Sequence, residues 1–376
     1  MAPTYTGSAM TEGVISFARG APSADILPVD HVREAAQRAL SDDWERALSY
    51  GKGHGHPGLC EWIAAAHDLE PEQVMVTNGS MEGAAMLFAH LIGVEDTVVV
   101  EQPSYDRTLL LLSRGGAKLV GVPLEEDGID VAAMESALAE HPSTRLVHVI
   151  PNFHNPAGCT LADEKRRRIV ELAAEHGFTL FEDDPYREVG FAGEPAPTMH
   201  SLDRADRVIY ASSFSKTVSP GVRVGYLAGP VEAIAALAKR ANETYISPNM
   251  LAESIVWELC RSGGLAENTE MVKGALRERR DVLVEALREH LPEAEFVVPE
   301  GGYFLWMTLN DDVDAGALLG AAAEERVAFV PGADFMIDGG RSSLRLSFAS
   351  VPPGQIPDGV ERLARALERT RAASPA

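Results

Sequence analysis

The stretch that decides the fold is SSFSKTVSPGVRVGY, residues Ser212 to Tyr226. It encloses Lys216 between hydroxyl side chains, a Pro-Gly turn and Arg223, with apolar strand-like sequence on both sides. A lysine that acts as a nucleophile must be held still and kept partly neutral, which a tight, half-buried turn can do. Ser213 and Arg223 add a hydroxyl donor and a planar guanidinium, and both suit a phosphate. The ordinary alternative is a surface lysine in a turn, and the neighbours of Lys216 favour a ligand site instead.

Short apolar runs alternate with helical patterns over the first two thirds of the chain. Continuously apolar runs are typical of strands that are covered on both faces. Their alternation with helices predicts a mostly parallel α/β sheet whose ligands bind at the carboxyl ends of the strands. The seven runs are Val74–Thr77, Thr97–Val100, Lys118–Val122, Arg145–Ile150, Phe178–Phe181, Val208–Ala211 and Val224–Leu227.

The pattern changes after Pro248. A long helix with Glu and Arg at i, i+4 spacing is predicted from about Leu265 to Leu291. Further helices are predicted around residues 314–325 and 355–371. The strand-like pieces are Glu295–Val298, Tyr303–Trp306 and Leu344–Phe348. This order of elements predicts a separate α+β domain.

Charge and cysteine content narrow the functional classes. With 33 Lys and Arg against 56 Asp and Glu, the 376-residue chain has a formal net charge of −23. This argues against nucleic acid or an anionic membrane as a partner, since both require a basic surface. Cys60, Cys159 and Cys260 are odd in number and lack metal-site spacing, so we predict no disulfide framework, no metal site and a reducing compartment. The N-terminus has no signal-peptide pattern and no apolar stretch approaches the ~20 residues that span a bilayer, so the chain is predicted to be cytoplasmic.

Polar motifs follow several of the predicted strands. In TNGSMEG, residues 77–83, a glycine at the start of a helix lets the backbone approach an anion, although an ordinary helix cap by Asn78 or Ser80 explains the motif equally well. In FEDDPY, residues 181–186, three acids in a row follow a buried strand, and such a run usually forms a solvated turn. Arg345 lies within an apolar strand, where a half-buried cation needs a partner. A ligand carboxylate or a surface acid could supply it.

In combination, these motifs resemble the pyridoxal-phosphate (PLP)-dependent aminotransferases of fold type I, class I/II. They occur in the family order from about residue 14 to residue 370, and they look most similar to the 2-aminoadipate and kynurenine aminotransferase subgroup. The resemblance implies an α/β fold, with a mostly parallel seven-stranded sheet in a large domain and a smaller α+β domain. It implies an N-terminal arm and part of the small domain in residues 1–45, the large PLP-binding domain in 46–248 and the C-terminal small domain in 249–376.

The resemblance also implies roles around the cofactor. Lys216 holds PLP as a Schiff base and moves the proton of the substrate, while Asp183 keeps the pyridine nitrogen protonated. Asp184 is the alternative to Asp183, but its spacing to Tyr186 is one residue short. The implied contacts to the phenolic oxygen come from Tyr186 and Asn155, the stacking ring from Tyr105, and the phosphate contacts from Gly79, Ser80, Met81, Ser213 and Arg223.

For the substrate, the family pattern implies that Arg345 clamps the α-carboxylate, with Asn155 and Gly20 lining the same pocket. Tyr50 matches a tyrosine that reaches the phosphate of the neighbouring subunit, which implies a homodimer with shared active sites. Arg19 stands where the subgroup commonly has glycine and offers a second cation, so an acidic or polar amino donor is preferred. An exposed, solvated Arg19 is the alternative.

The predicted reaction is transfer of an amino group between an L-amino acid and a 2-keto acid. Elimination, replacement or oxidation on the same scaffold is the alternative, because PLP serves all of these reactions. A regulator that only senses a ligand is disfavoured, because such proteins carry an N-terminal DNA-binding domain and this chain has about fourteen residues before Ile15.

Overall fold

The computed structural model describes residues 13–309 and 313–373. In these ranges the strands are β1 (Ile15–Ser16), β2 (Val74–Thr77), β3 (Thr97–Gln102), β4 (Lys118–Glu125), β5 (Gly128–Ile129), β6 (Leu146–Val149), β7 (Thr179–Asp183), β8 (Val208–Ser213), β9 (Gly225–Ala228), β10 (Glu295–Phe296), β11 (Phe304–Thr308), β12 (Val327–Ala328), β13 (Val330–Pro331) and β14 (Ser343–Ser347).

The α-helices of the same ranges are α1 (Val29–Asp42), α2 (Trp44–Ala47), α3 (Pro57–Ala66), α4 (Ser80–Leu91), α5 (Asp106–Arg114), α6 (Val131–Glu140), α7 (Asp163–His176), α8 (Met199–Leu202), α9 (Val231–Tyr245), α10 (Met250–Ser262), α11 (Gly264–His290), α12 (Ala315–Glu324) and α13 (Ile356–Ala373). None of the helices in the described part of the chain has the length and apolar character needed to cross a membrane.

The large sheet has the strand order β2-β9-β8-β7-β6-β3-β4-β5. Strands β8, β7, β6, β3 and β4 pair in parallel, whereas β9 is antiparallel to both of its neighbours. Because β2 and β8 are both antiparallel to β9, they run in the same direction. The carboxyl ends of β2, β3, β6, β7 and β8 therefore meet at one edge, where the chain also enters β9.

The prediction of a mostly parallel α/β sheet is confirmed. All seven predicted runs form strands, and the short strand β5 adds an eighth by folding back antiparallel on β4. Side chains alternate between the two faces of the sheet, as the period of two requires. Val98 and Val100 pack into the core on one face, while Val99 packs into the core on the other. Both faces are covered, which explains why these strands are apolar throughout.

The C-terminal part forms a second sheet of order β10-β11-β14-β13. Helices α11, α12 and α13 cover it, and their buried residues share one core with Phe17 near the N-terminus. The predicted strand at Glu295–Val298 is shorter, Glu295–Phe296, since Val297 is partly exposed and no longer pairs.

Helix α10 packs differently from the helices that follow it. Its buried residues Ala252, Val256 and Leu259 share a core with α3 and with strands β2, β8 and β9 of the large sheet. The domain limits at residues 45 and 248 stay a prediction, and residues 1–12 of the predicted N-terminal arm lie outside the described residues.

Candidate active site

The carboxyl edge of the large sheet encloses a cavity of about 210 Å³. Its wall combines loops that follow β2, β3, β6, β7 and β8 with the segment at Gly20. Residues that were predicted separately from the sequence are brought together here. Those that line the cavity are Gly20, Ser80, Met81, Tyr105, Asn155, Asp183, Tyr186, Ser213, Lys216 and Arg223. A larger groove of about 840 Å³, between β4 and β10, contains none of the predicted site residues.

Lys216 lies in the turn after β8, half-buried, with its amine inside the cavity. The Nζ atom donates a hydrogen bond of 3.2 Å to the carbonyl oxygen of Gly20. Burial, together with the positive charges of Arg345 and Arg223, lowers the pKa of Lys216 to about 8, against the opposing charge of Asp183. A substantial fraction of neutral amine is therefore present near neutral pH, as a nucleophile or general base requires.

The loop between β2 and α4 forms an anion cradle. Gly79 caps α4 with a φ of +86°, and a Cβ atom at this position would lie 2.2 Å from Nη2 of Arg223. A Cβ atom on Gly225 would lie 2.4 Å from the backbone nitrogen of Ser80. Only glycine fits at either position, and the first amides of α4 are left free to bind an anion.

Arg223 and Ser213 complete this cradle. Arg223 adopts a left-handed φ of +51° and donates to the carbonyl oxygen of Asn78 over 3.2 Å, which aims its guanidinium at the start of α4. The hydroxyl of Ser213 is buried and bonds to the hydroxyl of Ser215 over 2.9 Å. A phosphate group fits this set of donors.

Because side chains alternate along a strand, the three acidic residues at the end of β7 point to two different faces of the sheet. Asp183 lines the cavity, with Nε2 of His148 at 3.5 Å from its Oδ2 atom. Glu182 accepts hydrogen bonds from the backbone nitrogens of Met199 and His200 at 2.9 and 2.8 Å. Burial raises the pKa of Glu182 to about 8.

Asp184 points to the same face as Glu182 and does not line the cavity. It accepts a hydrogen bond of 2.8 Å from Nδ2 of Asn152, and burial raises its pKa to about 6. Three successive acids thus lie in two environments, and one of them faces the ligand space.

Arg345, on β14 of the small sheet, contacts Asn155, one of the residues that line this cavity. Its Nη1 atom donates to Oδ1 of Asn155 and its Nη2 atom to the carbonyl oxygen of Ala18, both over 2.9 Å. The guanidinium lies 4.2 Å above the ring of Phe304 and 4.7 Å above that of Phe335. Its Nε atom is buried and has no partner among the described residues. A buried cation with an unused donor suits an incoming carboxylate.

Burial and hydrogen bonding also hold the loops that carry the aromatic residues. His154 donates from Nε2 to Oε2 of Glu101 over 3.0 Å and accepts from the backbone nitrogen of Ala157 at Nδ1. This pair connects the end of β3, which leads into the loop of Tyr105, with the loop of Asn155. Burial raises the pKa of Tyr105 to about 12, so its ring remains neutral.

Four predicted residues do not line the cavity, and one of them, Arg345, contacts it through Asn155. Tyr50 is 84% exposed, in the loop before α3. Arg19 is also exposed, next to Gly20. Gly79 is one residue from the cavity wall and acts on it through its contact with Arg223.

Some residues of the site were missed by the sequence analysis. Tyr303 places its ring 4.9 Å from Nζ of Lys216, and His148 approaches Asp183 from β6. The aromatic residue after two glycines in Gly301–Phe304 was a usable signal for the first of these. His148 had none, because it lies inside an apolar strand.

Comparison with known proteins identifies the family. The model of the family described as aminotransferase class I and II matches residues 12–363. The chain belongs to this family. A 2-aminoadipate transaminase of Thermus thermophilus is 35% identical over 362 residues, covering 95% of this chain and 90% of the relative. An aromatic-amino-acid aminotransferase of Thermococcus litoralis is 32% identical over 370 residues, covering 95% and 89%.

An aminotransferase of the same kind is found among solved structures. The alpha-aminoadipate aminotransferase LysN of Thermus thermophilus, complexed with N-(5'-phosphopyridoxyl)-L-leucine, superposes with a TM-score of 0.91 at 34% identity, covering 96% of this chain and 94% of that one. The predictions of a fold type I aminotransferase and of PLP as its cofactor are confirmed. The glycine-walled cradle, the carboxylate of Asp183 and the amine of Lys216 fit the three ends of that cofactor.

Proposed function

We propose that this aminotransferase uses Lys216, Asp183 and Arg345 as its main reacting and binding groups. The observation that carries the proposal is the single cavity in which an amine of lowered pKa lies opposite a carboxylate and beside an anion cradle. Lys216 would hold the cofactor and, once freed by the amino acid, move a proton between the substrate Cα and the cofactor. Its pKa of about 8 suits both directions of that transfer.

PLP, when bound, supplies an electron sink that makes the Cα proton of an amino acid acidic. In our proposal, Asp183 holds the proton on the ring nitrogen. Tyr186 and Asn155 would bind the phenolic oxygen, and the ring of Tyr105 would stack on the pyridine. The donors at Gly79, Ser80, Met81, Ser213 and Arg223 would hold the phosphate.

Arg345 would bind the α-carboxylate of the substrate. Its burial and the unused Nε donor support this role, because a desolvated guanidinium binds a carboxylate strongly. Asn155 and Gly20 border the same space. Every amino donor would use this contact, so it cannot select among side chains.

For the side chain, we infer a preference for acidic or polar donors from the second cation at Arg19. The relatives named for 2-aminoadipate support this preference. Comparing kcat/KM for glutamate, 2-aminoadipate, leucine and phenylalanine in wild type and Arg19→Ala tests it. Loss of the acidic donors alone would support the inference, and an unchanged acidic-to-apolar ratio would refute it. Arg240→Ala, which changes an exposed arginine of α9, is the matched control.

We further propose a homodimer in which Tyr50 contacts the phosphate in the partner subunit. Its exposed fraction of 84% supports this, as an aromatic residue left in water suits an interface. Leu48, two residues earlier, is likewise 65% exposed. The three free, buried cysteines support a cytoplasmic protein.

The experiment that tests the function is a panel of amino donors against several 2-keto acids, with mass detection of both products. We expect product formation that requires an acceptor and disappears in Lys216→Ala. The exposed Lys239→Ala, on α9, is the matched control. Products that form without any acceptor would instead indicate elimination or oxidation. Borohydride treatment followed by peptide mapping should label Lys216, and a label on another lysine would overturn the assignment.

A further inference from the structure

The amine of Lys216 lies between two tyrosine rings, and one of them has no role in the site described above. Nζ is 5.2 Å from the ring centroid of Tyr186 and 4.9 Å from that of Tyr303. Both distances are within the range of a cation–π contact. Tyr303 is fully buried and precedes β11 of the small sheet, so it approaches the lysine from the side opposite to the turn that carries it.

Tyr303 also contacts the main chain of the lysine. Its hydroxyl donates a hydrogen bond of 3.3 Å to the carbonyl oxygen of Lys216. That carbonyl lies in the turn after β8, outside the regular ladder of the sheet. One side chain therefore touches both ends of the lysine, the carbonyl through its hydroxyl and the amine through its ring.

The backbone of Tyr303 is itself held on both sides. Its carbonyl oxygen accepts from the backbone nitrogen of Phe348 over 3.0 Å. The preceding Gly302 donates to the carbonyl oxygen of Val189 over 3.1 Å. The ring of Tyr303 also lies 5.6 Å from that of Tyr186. A side chain with so little freedom can define the position of a flexible lysine.

We propose that Tyr303 is a positioning residue for Lys216, fixing the turn of the lysine through its hydroxyl and the amine against its ring. The inference rests on the role of Lys216 proposed above. It adds that the small sheet, and not only the large one, determines where the nucleophile lies.

The contact between the Lys216 amine and the ring of Tyr303 can be measured through the pKa of Lys216. Arg345 from β14 and Arg223 from the turn before β9 disfavour the ammonium form, and Asp183 from β7 favours it. Burial raises the pKa of both Tyr303 and Tyr186, so both rings stay neutral near pH 8. A neutral aromatic face attracts the ammonium form, so its removal should lower the pKa of Lys216 further.

The test uses the full-length chain prepared without PLP. An amine-reactive probe, trinitrobenzenesulfonate, is applied across a pH series, and modification of the Lys216 peptide is quantified by mass spectrometry. We expect Tyr303→Leu to lower the midpoint by about one pH unit, because a desolvated cation–π contact has about the free energy of one pKa unit. Tyr303→Phe keeps the ring and should stay within a few tenths of a unit of wild type. If Tyr303→Leu does not fold, Tyr303→Met removes the ring with a more adaptable side chain.

The hydroxyl is tested separately in the holoenzyme. Tyr303→Phe should speed hydrogen exchange of the segment 212–219, because the carbonyl of Lys216 loses the hydrogen bond that it accepts from this hydroxyl. Tyr245→Phe is the control, since the hydroxyl of Tyr245 contacts the sulfur of Met86 over 3.8 Å and not the segment 212–219. Unchanged exchange in Tyr303→Phe would overturn this half of the proposal.

The ring half is overturned if Tyr303→Leu keeps the wild-type midpoint, or if Tyr303→Phe lowers it as much as Tyr303→Leu. Neither readout depends on turnover. Failure of the proposed function would appear instead as acceptor-independent product or as a cofactor label away from Lys216, so the two failures are distinguishable.

Discussion

The guanidinium of Arg345 donates a 2.9 Å hydrogen bond to the side-chain oxygen of Asn155, across the gap between the small and large sheets. Arg345, proposed to bind the substrate carboxylate, and Asn155, proposed to bind the cofactor, are therefore hydrogen-bonded to each other. An incoming carboxylate must share Arg345 with Asn155, or use the buried Nε atom that has no other partner among the described residues.

Replacing Arg345 tests the carboxylate contact. Arg345→Ala should raise KM for every amino donor by about 30-fold or more, because loss of one partner of a buried charge pair costs about 2–5 kcal/mol. The matched control is Arg341→Ala, whose side chain is 80% exposed. Steady-state kinetics with an acidic and an apolar donor give the measurement. A rise confined to one donor would contradict a contact to the common carboxylate.

The acids of β7 give a paired prediction. Asp183→Asn should bind PLP but lose about 100-fold in kcat, because a neutral amide no longer provides the charged hydrogen bond to the protonated ring nitrogen. Asp184→Asn should retain most activity, since Asp184 bonds to Asn152 away from the cavity. Absorbance of the bound cofactor and kcat are measured for both. If Asp184→Asn were the more damaging change, the choice between the neighbouring acids would be wrong.

Tyr50 provides a test of the shared site. Tyr50→Phe should weaken PLP retention by about 10-fold, since a hydrogen bond to a charged group contributes about 1.5–3 kcal/mol. Equilibrium dialysis measures the loss, with Tyr245→Phe as control, and light scattering gives the oligomeric state. A fully active wild-type monomer would rule out the shared-site proposal.

Glu253 on α10 predicts how stability depends on pH. Its Oε2 atom accepts from the backbone nitrogen of His56 over 2.6 Å, while Oε1 is buried without a partner among the described residues. Burial raises its pKa from 4.5 to about 8. The folded state thus binds this proton more tightly than the unfolded state, so its contribution to stability is full below pH 4.5 and is lost as the pH rises to about 8.

Glu253→Gln removes that titration. Relative to wild type, the variant should gain roughly 4 °C or more in Tm on going from pH 5 to pH 8, because only the wild-type carboxyl becomes ionised. Glu285→Gln, at an exposed position of α11, is the control. Thermal unfolding of the holoenzyme at both pH values provides the measurement. Equal differences at both pH values would contradict a titration of Glu253 between pH 5 and pH 8.

Much of the site could be predicted because it follows strand ends. The strands are continuously apolar, so the points where polar residues begin mark the carboxyl edge, and a parallel sheet brings those points together. Lys216, Asp183 and Asn155 all lie at or after such strand ends, whereas their individual roles were predicted from the family resemblance. The two-residue strand β5 was not, because two residues carry no recognisable period.

Contacts between distant parts of the chain were outside the reach of sequence patterns. The bond of His154 to Glu101 joins positions 53 residues apart, and neither residue has a local signal. The contact of Tyr303 with Lys216 spans 87 residues and depends on how the two sheets face each other. Which residues form such long-range contacts depends on how side chains pack in the folded protein. The hydrophobic pattern of the sequence predicts only the strands and helices on which those residues lie.

The alternation of the three acids at the end of β7 also determines which mutations of this strand would preserve the site. A substitution at Glu182 or Asp184 alters an interior contact and leaves Asp183 facing the ligand space. Deletion of a single codon within β7 is different, because a shift of one residue turns every side chain to the opposite face. An acid would still face the ligand space, but the side chains on the two covered faces of the strand would be exchanged and would no longer fit the cores on either side. Substitutions within β7 are therefore tolerated more readily than insertions or deletions that change its length.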